Sequence, residues 1–305
     1  KLAIIISLFY FIVARIVTDW NTVRSFGWHI NPLLMTFSCI VFLAAYAVLV
    51  GIWRYVLDSF GYRIRYPAAW SIYFIGNLGR YIPGKVWTVA GVAYMANKSG
   101  IPAVIAGTAA VCAQVYAILS SFVFFIVFCI LKKPATPCER FLWGILPMAA
   151  LVLIFLVPHN LERVLNRILK LFGRDKILIP LLFGDALKIT ALYLGSWVVF
   201  GVAFWLFVSS IAGERTFSML YLTVVYAVAY VIGYLALFAP GGIGVREGIL
   251  SIMLTGVISP GIAAVIAVLS RLMVTAAELL CVGIVFFPPL INRVTGSRNQ
   301  ETENR

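Results

Sequence analysis

Histidine is scarce in this sequence of 305 residues, in which only His29 and His159 occur. Both lie next to predicted loops, so we expect neither a histidine-based zinc site nor a catalytic triad. The five cysteines show no paired spacing, which predicts small core residues rather than disulfides or metal ligands: Cys39, Cys112, Cys129, Cys138 and Cys281. A Walker A motif is also missing. We therefore expect no enzymatic activity, no cofactor and no bound metal.

Charged residues are also few, at 11% of the chain, whereas a soluble domain averages about 25%. Hydrophobic residues make up 63%, and the mean hydropathy is +1.02. This composition predicts an all-α polytopic membrane protein. The net charge of +13 is concentrated in loops. We expect these loops to contact a membrane surface that is rich in anionic lipid, rather than nucleic acid.

Long apolar stretches predict the membrane segments, at about 2–17, 32–57, 66–97, 101–131, 141–158, 179–211, 216–256 and 260–290. Residues 159–178 differ, because apolar residues at helical spacing there alternate with basic ones. We predict a basic amphipathic helix on the membrane surface that joins two halves of the protein. The polar tail 293–305 is predicted to be a disordered cytoplasmic segment.

A Pro-Gly pair interrupts two of these stretches, and the two pairs lie 157 residues apart at Pro83-Gly84 and Pro240-Gly241. Backbone groups that are freed at membrane depth survive only inside protein or beside a cavity. Paired breaks in two halves point to the binding site of a transporter. Within a single transmembrane domain of residues 1–292, we predict two inverted repeats, about 32–131 and 179–290, linked by 141–158 and 159–178. Each repeat would contain a re-entrant or broken helical hairpin.

Positive charge orients the predicted helices. If both broken segments are re-entrant, 13 basic residues lie on the cytoplasmic side with both termini, and 5 lie outside, namely Arg24, Lys132, Lys133, Arg140 and Arg215. The alternative is that residues 216–238 cross the membrane alone, since about 20 apolar residues suffice. The carboxy-terminal tail would then lie outside, against its three arginines.

Charged residues near the breaks predict an anionic ligand, because a cation at the bilayer centre costs at least about 2.5 kcal/mol. Helix amino termini at the breaks would add their amide groups to such a site. Arg271 and Glu278 lie seven residues apart on one helix face, where ligand binding and a structural salt-bridge network are both open. The predicted substrate-binding residues are Arg80, Pro83, Gly84, Lys85, Pro240, Gly241, Gly242, Arg246, Glu247, Arg271 and Glu278. The alternative is that Glu247 pairs with Arg246 or Lys85 and that the glycines only permit close helix packing.

The segments Gly79–Trp87 and Pro240–Gly248 resemble the two signature segments of the lysylphosphatidylglycerol synthase transmembrane-region family. The resemblance covers nearly the whole chain, and the second segment, followed by Arg271, is the more specific. It implies lipid translocation, with lysylated phosphatidylglycerol or lipid-linked saccharides as substrates of family members. Full-length resistance factors of this family also carry a cytosolic aminoacyl-transferase domain, which nothing in this sequence could form. We therefore expect no lipid-modifying activity.

These features together predict a flippase-like lipid translocase of the prokaryotic inner membrane. It would move the headgroup of an anionic phospholipid or of a polyprenyl-phosphate-linked glycolipid. Membrane lipids are the expected partners, with a lipid-modifying enzyme or glycosyltransferase and a second copy of the chain as further candidates. Two alternatives are a secondary transporter of a small soluble anion and a non-transporting membrane scaffold for a lipid or glycan enzyme.

Overall fold

A computed structural model describes residues 2–82, 86–131, 148–171, 173, 175–212 and 217–286, with the side chains of 2–9 and 127–131 left out. The described residues are almost entirely helical, and their only β-type contact is a bridge between His29 and Ala212. The helices are α1 (Leu2–Thr18), α2 (Trp20–Ser25), α3 (Pro32–Ser59), α4 (Tyr66–Asn77), α5 (Val86–Lys98), α6 (Ala103–Leu131), α7 (Met148–Leu156), α8 (Pro158–Leu171), α9 (Phe183–Ala212), α10 (Met219–Leu235), α11 (Val245–Leu254) and α12 (Pro260–Val285).

Four of these helices are long and apolar enough to cross a membrane: α3, α6, α9 and α12. A fifth span results if α7 and α8 are counted as one bent pair, whose axis turns by 95°. Large apolar side chains on the outer faces of these helices are exposed, among them Phe37 and Leu272. Exposed apolar surface of this extent is stable only in lipid. The chain is therefore an integral membrane protein of the polytopic all-α class, as the composition predicts.

The centre of the bundle is the packing of α3 against α9. Phe42 of α3 and Phe200 of α9 are buried, and both rings contact Tyr226 of α10 at centroid distances of 6.0 and 5.8 Å. The Ser38 hydroxyl donates to the carbonyl of Ala203 over 2.8 Å. Because lipid is as apolar as these side chains, tight packing and interhelical hydrogen bonds hold such helices together. The helices beside the two breaks pack against this centre, α4 on α3 and α10 on α9.

Two helix breaks are present, each with a short 3₁₀ turn between two short helices, although the first predicted pair, Pro83-Gly84, lies outside the described residues. The first turn, Leu78–Tyr81, follows α4 and precedes α5, and the second, Pro240–Gly242, lies between α10 and α11. Glycines bring the paired helices into backbone contact: a Cβ atom added at Gly76 would lie 2.6 Å from the Val92 nitrogen, and one at Gly242 would lie 2.8 Å from the Gly233 oxygen. Gly76 thus lets α4 pack closely on α5, and Gly242 lets the second turn pack closely on α10.

The predicted amphipathic helix is shorter than residues 159–178. It begins at Pro158 and ends at Leu171, because Gly173 takes a left-handed φ of +63° that terminates a helix. Residues 175–182 run without helix, and Asn166 holds this segment by accepting from the Ile177 amide at 2.8 Å and donating to the Ile177 carbonyl at 2.9 Å. The side-chain amide of Asn166 therefore fixes the path of residues 175–182. The pattern of hydrophobic residues gives no signal for this contact. The predicted tail 293–305 lies outside the described residues.

Replacing Gly76 by Ala tests the contact between α4 and α5. The added methyl group would collide with the backbone of Val92, and we expect a loss of about 1–3 kcal/mol of stability. Gly195, in the middle of α9, is the matched control because nothing lies within 4 Å of a Cβ atom there. Gly195→Ala should be neutral or stabilising by up to about 1 kcal/mol. Thermal unfolding in detergent measures both, and equal midpoints for Gly76→Ala and wild type would contradict the packing.

Candidate functional site

The two helix breaks meet in the interior of the bundle. A Cβ atom added at Gly241 in the second break would lie 3.5 Å from the ring of Tyr81 in the first. The same atom would lie 3.1 Å from Nη2 of Arg271, and Gly241 has a left-handed φ of +58°. Both the conformation and the close approach of a guanidinium require glycine here. Three of the predicted site residues, Pro83, Gly84 and Lys85, lie outside the described residues.

Arg80 at the first break forms a partly buried ion pair with Glu278 of α12. Their Nη1 and Oε1 atoms are 2.7 Å apart, and the side chains are 22% and 14% exposed. The Arg80 guanidinium also donates to the carbonyl and the side-chain oxygen of Asn77. Two tyrosine hydroxyls also donate hydrogen bonds to the Glu278 carboxylate: Tyr46 to Oε1 at 2.8 Å and Tyr81 to Oε2 at 2.6 Å. Every oxygen of Glu278 is therefore engaged, and the group is fixed in place.

Glu247, in the first turn of α11, caps the amino terminus of that helix. Its Oε2 atom accepts from the Gly244 amide at 2.6 Å, where α11 starts. This carboxylate thus supplies the negative charge that the helix amino terminus favours. The Gly244 amide therefore already has a partner within the protein. Its Oε1 atom lies 3.6 Å from Nε of Arg271, which makes a looser ion pair.

Arg246 differs from the other buried cations of the site. It is 7% exposed, and no carboxylate pairs with it among the residues that the structure describes. Its guanidinium carbon lies 4.7 Å from the ring centroid of Tyr226 and 5.5 Å from that of Tyr230. Aromatic faces stabilise a desolvated cation by roughly 2 kcal/mol. Glu247 forms no ion pair with Arg246 here and instead lies near Arg271 and accepts from the Gly244 amide, whereas Lys85, the other suggested partner, lies outside the described residues.

These side chains surround a small polar cavity between the breaks, of about 40 Å³. Arg80, Gly241, Arg246, Arg271 and Glu278 line it. A polar cavity of this size is large enough for water but not for a lipid headgroup. Pro240 and Gly242 form the turn beside it, and Glu247 reaches it only through Arg271. In the ranges that the structure describes, no group of three His, Cys, Asp or Glu side chains could hold a metal ion.

The predicted site residues include no asparagine, glutamine or tyrosine, although several such side chains belong to the site. Asn77 precedes Arg80 by three residues, and Tyr226 and Tyr230 are four residues apart on α10. Helical spacing was the available signal in both cases, since such residues share a face. Gln114 lines the same cavity from α6 and is a rare polar residue of an apolar stretch. Tyr46 gave no such signal, because its contact with Glu278 bridges 232 residues of sequence.

This architecture defines a polytopic α-helical membrane protein whose two broken helices enclose a charged internal site. The chain belongs to the family described as lysylphosphatidylglycerol synthase TM region, whose family model matches residues 1–281. The resemblance inferred from the two Pro-Gly segments is therefore confirmed. No curated protein matches the chain.

Replacing Glu278 by Gln tests the ion pair at the first break. The amide would leave the Arg80 charge without a counter-ion in a buried site, and such losses cost about 3–5 kcal/mol. The control is Asp58→Asn, which breaks the Asp58–Arg63 pair of 41% and 88% exposed side chains and should cost at most about 1 kcal/mol. Denaturant titration in micelles measures both free energies of unfolding. Equal losses in the two variants would show that Glu278 does not hold the site together.

Proposed function

We propose that this protein is a flippase-like lipid translocase that passes an anionic, phosphate-bearing headgroup across the membrane. The observation that carries the proposal is Arg246, a buried cation that lines the cavity between the breaks, contacts aromatic rings and forms no ion pair with a carboxylate of the described residues. Burying a charge without a counter-ion is costly. Such a charge persists where a ligand of opposite sign supplies the missing partner.

The charge balance of the site favours a ligand with a single negative charge. Three guanidinium groups, those of Arg80, Arg246 and Arg271, face the two carboxylates of Glu247 and Glu278. One positive charge of the described site therefore remains uncompensated. A phosphodiester carries one negative charge and presents oxygens that match the planar donor array of arginine. The phosphodiester of a phospholipid or of a lipid-linked saccharide has this chemistry.

The helix lengths support two re-entrant hairpins. Helices α4 and α5 contain 12 and 13 residues, and α10 and α11 contain 17 and 10, whereas a full crossing needs about 20. The offset of 157 residues relates Gly76 to Gly233 and Tyr73 to Tyr230, and both glycines contact the second helix of their own hairpin. We infer inverted repeats, with both termini in the cytoplasm of a prokaryote and the protein in its inner membrane.

Transport would leave the lipid tails in the bilayer while the headgroup passes between the hairpins. The headgroup then avoids hydrocarbon, where its charge would be expensive. Because the present cavity is too small for a headgroup, one hairpin must move against the other to admit it. We propose no chemical step on the lipid by this chain, and any lipid-modifying enzyme or glycosyltransferase would be a separate partner.

Replacing Arg246 by Gln tests the proposed function. Fluorescently labelled phosphatidylglycerol in reconstituted vesicles reports headgroup movement through its exposure to an impermeant quencher. We expect Arg246→Gln to slow movement at least about tenfold, which corresponds to about 1.4 kcal/mol. Arg246→Lys, which keeps the charge but loses the planar fork, should give an intermediate rate.

The control for this experiment is Arg63→Gln, which removes an exposed arginine far from the cavity and should keep the wild-type rate. Unfolding temperatures of all variants establish that they are folded. A wild-type rate in Arg246→Gln would refute the site. Uptake of soluble phosphate without movement of labelled lipid would instead identify a transporter of small anions.

A further inference from the structure

An apolar cavity adjoins the charged one. Its volume is about 230 Å³, and four side chains line both spaces: Tyr73, Asn77, Gln114 and Tyr234. Aliphatic side chains of α5 and α6 form most of its remaining wall: Val89, Val92, Ala110, Val111, Val115 and Ile118. A ligand group beside Arg246 in the charged cavity therefore has a mainly aliphatic space next to it.

The chemistry of this wall suits hydrocarbon rather than a polar group. No charged side chain is among its described lining residues. The indole nitrogen of Trp53 and the hydroxyl of Thr88, two further lining residues, are enclosed by protein and do not face the space. An apolar cavity of about 150 Å³ suffices to bind benzene. The larger volume here is therefore enough for several carbon atoms of a chain.

The offset of 157 residues between the two breaks relates this cavity to the charged one. Val89 corresponds to Arg246 by this offset, and Gln114 corresponds to Arg271. In the second half of the chain these positions carry guanidinium groups, which line the charged cavity. In the first half a shorter valine and an uncharged amide stand in their place, and the space beside them stays open. The two hairpins thus provide unlike half-sites, one cationic and one apolar.

The apolar cavity lies towards the lipid-facing side of α6. Val111, Val115 and Ile118 line it and are themselves half-exposed. Val104, two turns before Val111 on the same helix face, is 66% exposed. Since exposed apolar surface of this protein contacts the bilayer, the cavity lies between the charged site and the hydrocarbon of the membrane.

The burial of Arg246 makes such a space necessary for a lipid but not for a free phosphate. Arg246 is only 7% exposed, so a phosphate that reaches it brings the carbons attached to it inside the protein. Carbon that lay in the charged cavity would displace water from the guanidinium groups, which is costly. An adjoining aliphatic wall removes this cost.

We propose that the apolar cavity binds the hydrocarbon next to the phosphodiester of a lipid whose phosphate lies at Arg246. The inference rests on the proposed function and adds a second subsite to it. Only the carbons nearest the headgroup enter the cavity, and the rest of the chain passes α6 and stays in the bilayer. The protein then holds its ligand on both sides of the phosphodiester linkage, which a small soluble anion does not allow.

Two photoreactive analogues of phosphatidylglycerol test this subsite. One carries a diazirine on the acyl carbons nearest the ester, and the other carries it at the chain end. Mass spectrometry of the intact protein after illumination in reconstituted vesicles maps the labelled residues. We expect the first analogue to label Val89, Val111 or Val115 and the second to label lipid-facing residues only. Arg246→Gln should remove the labelling of the cavity, because the phosphate no longer has its anchor.

Val111→Phe fills part of the cavity, and Val104→Phe is the matched control, since the same change there extends into lipid. We expect Val111→Phe to lower both cavity labelling and headgroup movement about tenfold, because about two methylene groups lose their apolar surroundings. Val104→Phe should change neither. Ala110→Leu enlarges a second lining residue by a smaller amount and should act in the same direction. Unfolding temperatures identify the folded variants.

Labelling of lipid-facing residues alone by the first analogue would overturn the apolar subsite. Wild-type labelling of the cavity in folded Val111→Phe and Ala110→Leu would overturn it as well. If Arg246→Gln still slowed headgroup movement in either case, the proposed function would stand without the subsite. If Arg246→Gln changed neither labelling nor movement, the anionic site would be refuted and the apolar subsite with it.

Discussion

Backbone groups at the two helix breaks lose their partners within the helix, and hydrocarbon offers none in exchange. The protein satisfies them locally: the Ile82 amide donates to Gly79, the Gly242 amide to Ala239, and the Gly244 amide to Glu247. Glu247 therefore has to be buried, and a buried carboxylate needs a cation, which Arg271 supplies at 3.6 Å. The charged site thus follows from the requirement to break helices inside the bundle.

Helix α12 connects the two breaks through its charged face. Glu278 binds Arg80 of the first hairpin at 2.7 Å, whereas Arg271, two turns earlier, faces Glu247 of the second at 3.6 Å. The proposed movement of one hairpin against the other would change at least one of these pairs. The longer contact lies beyond hydrogen-bond distance and costs less to separate. The second hairpin is therefore the element that we expect to move, while the first stays attached to α12 and, through Tyr46, to α3.

Much of this arrangement can be predicted from local sequence, because helix breaks and apolar spans are local properties. The Pro240-Gly241 pair locates the second break, α4 and α5 are separated next to the first pair, and four of the charged residues line one cavity: Arg80, Arg246, Arg271 and Glu278. The partners could not be predicted: Arg271 and Glu278 share a helix face but bind different hairpins, and Arg80 pairs across 198 residues of sequence. Such pairings depend on how the helices pack. The end of α8 at Leu171 was also missed, since the hydrophobic period continues while Gly173 turns the chain.

A translocase of the proposed kind would have to release its ligand as readily as it binds it, and the charges of the site are compatible with that demand. Channels meet the same demand by binding strongly enough for entry and weakly enough for exit. If Arg80, Arg246 and Arg271 were all unpaired, a phosphate would be held by three charges at once. Glu278 and Glu247 pair with two of them, whereas Arg246 forms no ion pair among the described residues and contacts tyrosine rings. A ligand that departs can return Arg246 to these rings, which lowers the cost of the empty state. The carboxylates therefore limit the affinity of the site as well as stabilise its fold.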